Sequence, residues 1–112
     1  MLELWISQAQ ENEARRQAAL RLCPEIGALV ASRGARRAWL FGSLAWGRGF
    51  EPSSDIDIAV EGIPPDRILR VGCEIEARCR DFEVDLVDLQ EVSPGLRERI
   101  LREGVLLHDS GP

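Results

Sequence analysis

The chain has 112 residues, 45% of them hydrophobic and 29% charged, with a formal net charge of −5. That length is near the usual domain size, so one domain spanning residues 1–112 with a modest core is expected, with no room for a separate substrate domain. An acidic chain lacks the broad positive field that grips a long template, which disfavours extended nucleic-acid binding. The charge is uneven. Residues 1–50 hold seven Arg against four Glu, a net of +3, whereas residues 51–112 hold seven Arg against fifteen Asp and Glu, a net of −8. A concentrated anionic site that recruits divalent cations suits the second half. The N-terminal stretch has glutamates and polar residues where a secretory leader needs a basic end and an apolar run, and no segment approaches a membrane span. A cytoplasmic location and no membrane partner are therefore expected. Cys23, Cys73 and Cys79 form no C-x-x-C pair and read as buried structural thiols. His108 is the only histidine, which argues against a zinc site built from His and Cys.

From Leu2 to Leu22 the composition is helical, and Pro24 is expected to break or kink that helix. Residues 1–23 thus form an N-terminal helix, and Leu2, Trp5, Ile6 and Ala9 make it a candidate partner or dimer surface. Leu20, Cys23, Ile26 and Val30 mark the buried face of a second helical piece, and Gly34 suits the position after its end. Ala35 to Phe41 reads as a strand and Gly42 to Ser54 as a loop with a short helix at Ser43. Asp55 to Val60 reads as a second strand. Pro65 opens a helix to about Arg80, with Ile68, Val71, Ile75, Cys79 and Phe82 inward. Glu83 to Leu89 alternates acidic and apolar residues as a third strand. Ser93 caps a helix that Pro94 begins and Gly104 ends, turning Leu96, Ile100 and Leu101 inward, and Val105 to Leu107 closes the fold. The order describes an α+β fold, an α/β sandwich of a small sheet with helices on it.

Residues i and i+2 of a strand share a face, so Asp55 and Asp57 place two carboxylates side by side, about 6–7 Å apart. Like charges that close stay ionised when cations sit between them, and hard oxygen ligands of this kind suit magnesium. Asp85, on the third strand, adds a third carboxylate if the two strands are neighbours. Three such groups hold two metal ions about 4 Å apart, the arrangement for phosphoryl or nucleotidyl transfer. Gly42-Ser43 supplies the other half of such a site. A glycine after a strand lets backbone amides approach a phosphate, a serine adds a donor, and the amide end of a short helix favours negative charge. Arg48 is the nearest cation to a bound phosphate. Trp39 and Phe41 read as core residues, Asp88 as structural or surface, and His108 as a surface residue. Trp46 reads either as a loop anchor or as a platform for a base or a partner.

The pair G-S, then S-D-I-D-I-A-V, then V-D-L-V-D-L, closing on R-I-L-R-E-G-V-L-L-H-D, resembles the minimal nucleotidyltransferases of the DNA polymerase β superfamily. The likeness runs from about Pro24 to Asp109. It implies a polymerase β-like nucleotidyltransferase fold. Gly42 and Ser43 would hold the nucleoside triphosphate, Asp55 and Asp57 magnesium, and Asp85 would complete the metal site. Many such proteins are antitoxins of a HEPN-domain partner and transfer AMP from ATP to a tyrosine of that toxin, so the resemblance implies the same reaction here. The alternative is a non-catalytic antitoxin that masks its partner by contact. A small-molecule adenylyltransferase would need a homodimer to supply a substrate-binding surface.

Overall fold

The computed structural model describes residues 2–47 and 55–111, with side chains from residue 7 onward. In chain order the elements are α1 (Leu2–Ser32), β1 (Arg37–Phe41), α2 (Gly42–Trp46), β2 (Ile56–Glu61), a short helical turn (Pro65–Arg67) leading into α3 (Ile68–Arg78), β3 (Val84–Asp88), α4 (Pro94–Glu103) and β4 (Val105–Asp109).

The first helix differs from expectation. It is one element, Leu2–Ser32, and runs through Pro24 rather than ending by residue 23. A proline inside a helix costs about 3 kcal/mol. Here Ala19 and Cys23 on one side of it and Ile26 and Val30 on the other are all buried, and each large side chain fully buried contributes about 1.5–3 kcal/mol. One continuous apolar face outweighs the local break, and Pro24 itself lies exposed. Gly34 follows the helix at φ 104°, as expected of a residue after a helix end. Of the stripe proposed as a partner surface, Ala9 is exposed, and the side chains of Leu2, Trp5 and Ile6 lie outside the described residues.

The four strands form one mixed sheet in the order β3-β2-β1-β4. β1 is antiparallel to β2 and β4, whereas β2 and β3 run parallel, joined by a crossover through α3. Alternation along the strands divides the core in two. Ala38, Leu40, Ile56, Ile58, Val60, Val84 and Leu86 face α1 and α3, while Trp39, Phe41 and Ala59 pack with Leu89 and Ile100 on the side of α4.

Ser93 caps α4 as expected, its Oγ accepting from the Leu96 amide at 3.3 Å. Ser93→Ala is expected to lower stability by about 1 kcal/mol, read as a lower urea midpoint at unchanged slope. Leu101 departs from expectation, lying 50% exposed. It stands about 100° around the helix from buried Ile100, outside the narrow stripe that meets the sheet. Cys23 and Cys79 are buried, but Cys73 is exposed on α3. Burial, with Cys79 nearby, pushes the Cys23 thiol up to about 11, so it stays protonated and inert. No helix among the described residues is long and apolar enough to cross a membrane.

Candidate active site

β1 ends at Phe41, and the chain turns through Gly42 at φ 76° straight into the single turn of α2. That conformation is open to glycine at little cost. The site needs glycine for a second reason, because a Cβ there would overlap Asp57 Oδ2 and lie 3.0 Å from Asp57 Cγ. The backbone of Gly42 therefore lies directly against the Asp57 carboxylate. Among the described residues, no side chain caps the start of α2. Ser43 follows, half-buried.

β2 places Asp57 opposite Phe41 on one side and beside Asp85 on the other. Because Ile56 and Ile58 are drawn into the core beneath α1 and α3, Asp57 must point to the opposite face. The parallel register puts Asp85 on that face too. The expected neighbourhood of the two strands is thus present. Gly42, Asp57 and Asp85 form a row across β1, β2 and β3, and Asp55 lies just before β2. Asp55 and Asp57 are half-buried and Asp85 is exposed.

Burial, followed by the charges of Asp85 and Asp55, raises Asp57 from its ordinary value to about 6. Asp57 is thus the member of the row on which burial and the neighbouring charges converge. Among the described residues, no three His, Cys, Asp or Glu are gathered closely enough to hold a metal ion. The donor set fits a hard divalent cation, since it consists of carboxylate oxygens whose charge a cation would relieve. Arg48 lies outside the described residues.

Trp46 is an anchor. Its indole N–H donates to the Glu103 carbonyl at 3.0 Å, and the Arg99 guanidinium covers the ring at 3.7 Å. Sequence reasoning missed Arg99 and Glu103 as neighbours of this turn. Their i,i+4 spacing signals a helical ion pair and nothing about α2. Asp88 accepts from the Gln90 amide at 2.9 Å and serves the turn after β3.

The family model described as polymerase beta, nucleotidyltransferase matches residues 26–111. No curated protein matches the sequence significantly. Among solved structures, a protein assigned as a minimal nucleotidyltransferase shares 32% identity at a TM-score of 0.58, over 86% of this chain and 92% of that one. A chain of a toxin–antitoxin complex with AMP-PNP shares 28% identity at a TM-score of 0.62, over 73% of this chain and 68% of that one. The fold also resembles a chain of the complex between tri-AMPylated Shewanella oneidensis HEPN toxin and MNT antitoxin, with 21% identity, a TM-score of 0.55, and coverage of 88% and 72%. A family match over most of the chain, with the expected strands and turn in place, leaves one conclusion: this chain belongs to the polymerase β nucleotidyltransferase family.

Proposed function

We propose that this protein transfers AMP from ATP to an acceptor hydroxyl, a tyrosine of a HEPN-domain toxin for which it serves as antitoxin. One observation carries the reading: Asp57 is backed by Gly42 and flanked in register by Asp85. The named complexes support the partner, one holding a tri-AMPylated HEPN toxin and another AMP-PNP. In this reading Gly42 and Ser43 receive the β- and γ-phosphates through amide and hydroxyl donors, with Arg48 as a further cation. Asp55, Asp57 and Asp85 would hold magnesium, which supplies charge neutralisation on the triphosphate when bound. The acceptor oxygen attacks the α-phosphorus and the bond to the β-bridging oxygen breaks. Pyrophosphate departs, and the exposed carboxylate of Asp85 takes the hydroxyl proton.

The test is transfer of label from α-labelled ATP, with magnesium, onto the product of the neighbouring gene, which this reading requires to be a HEPN-domain protein. Label is expected on a partner tyrosine with the wild type, and none with Asp55→Ala/Asp57→Ala. Absence of wild-type transfer would falsify the catalytic reading. A second reading, masking by contact alone, draws on there being no gathered cluster of three metal-ligating side chains among the described residues. It requires the double-alanine protein to neutralise the toxin as well as the wild type does.

A further inference from the structure

A helix of one turn does not hold itself in water, because fixing its first dihedrals yields too few hydrogen bonds. α2 has only five residues, yet it carries Gly42 and Ser43. Leu44, 1% exposed, pins its middle to the main core. Its last residue, Trp46, is held from three directions. The indole N–H donates to the Glu103 carbonyl at 3.0 Å. The ring lies tilted against Phe41 with centroids 6.3 Å apart, and the Arg99 guanidinium stacks 3.7 Å from its centre. Arg99 is itself fixed, its Nε donating to Glu103 Oε2 at 2.9 Å.

Glu103 ends α4, so its carbonyl is one that no amide within the helix reaches. The indole of Trp46 supplies the missing donor. One side chain thereby ties the end of α2 to the end of α4 and to Phe41, the residue just before Gly42. At the other end of α2, Gly42 lies against Asp57. The direction in which the turn presents its amides is set by these two attachments together with Leu44.

We propose that Trp46 is the positioning residue of the nucleotide-binding turn, locking α2 to α4 so that Gly42 and Ser43 meet a nucleoside triphosphate already in place. The inference rests on the nucleotidyltransferase reading above. Donors arranged beforehand need no ordering on binding, and a turn only fractionally in place weakens apparent affinity by that fraction.

Two measurements on the full chain test it. Amide hydrogen exchange of the ligand-free protein is expected to quicken about tenfold at Trp46 and Gly47, whose amides close the turn, in Trp46→Ala relative to Ile58 and Val60, since a hydrogen bond and a stacked cation are both lost. Calorimetric titration with AMP-PNP and magnesium is expected to show Kd weakened about tenfold in Trp46→Ala. Trp46→Phe keeps the ring contacts and loses only the donor, so it weakens Kd about threefold and serves if the alanine variant does not fold. Glu98→Gln, exposed on α4, changes neither. Wild-type binding that survives both Trp46 substitutions, or exchange that they leave unaltered, overturns this proposal alone. A wild type that does not bind AMP-PNP overturns the proposal together with the reading beneath it.

Discussion

Asp57→Asn is expected to abolish AMP transfer, by about a thousandfold or more, while making the metal-free protein more stable at neutral pH. The loss follows from removing a charge that the proposed cation needs. Stabilisation of transferred phosphoryl charge is worth several kcal/mol, and each 1.4 kcal/mol is a factor of ten. The gain follows from the raised pKa of about 6. A carboxyl whose folded pKa lies above its unfolded value prefers to be neutral in the fold. Its ionisation therefore costs no stability below the unfolded value near 3.8, a growing amount as pH rises from there to about 6, and the full amount above that. A shift of about two units is worth about 3 kcal/mol in full, and screening at a half-buried site reduces this to about 1–2 kcal/mol. Asparagine removes the cost, so melting of the metal-free variant should rise by about 4–8 °C at pH 7.5 and by little at pH 4. Magnesium should stabilise the wild type more than the variant. Equal melting temperatures at pH 7.5 would show that the ionised Asp57 carboxylate carries no cost in the fold.

The second large effect belongs to Gly42. Gly42→Ala places a methyl group on a backbone at φ 76° and into the space of the Asp57 carboxylate. The left-handed conformation costs a non-glycine residue about 1–2 kcal/mol, a loss that a domain of this size survives. The carboxylate must turn away or the turn must shift, and a displacement of about 1 Å in a catalytic site costs about a hundredfold in rate. The variant should be folded by circular dichroism and near-inactive in label transfer. Retention of more than about a third of wild-type activity would mean that Asp57 moves freely, contrary to its half-buried place beside Gly42.

How far the site could be read from sequence depends on the range of the forces involved. The face that Asp57 takes on β2 was legible because a strand's two-residue period is local, whereas Asp55 lies just before the strand that was expected to begin with it. The capping of α4 by Ser93 and its end at Gly104 were legible for the same reason. The meeting of Asp57 with Asp85 was legible only as a condition, that their strands be neighbours, since it depends on how the crossover through α3 seats β3 beside β2. The path of α1 through Pro24 was misread because proline's local cost is visible in sequence, whereas the sheet beneath Cys23 and Ile26 is not. The attachment of Trp46 to Glu103 spans 57 residues and left no trace in spacing. Gly42 was recognised as a turn glycine, yet its contact with Asp57 needed the antiparallel register of β1 and β2.

The parallel pairing of β2 and β3 has a consequence for how activity relates to folding. Strands that run parallel cannot meet through a tight hairpin, and here the chain must travel from Glu61 through α3 to Val84 before Asp85 reaches Asp57. Gly42 and Asp57 lie near each other in sequence on antiparallel neighbours, but Asp85 joins them only across the crossover, so the complete row has no local precursor. In the proposed reading, transfer therefore waits until the sheet closes, and a chain that has not yet seated β3 beside β2 has no complete site.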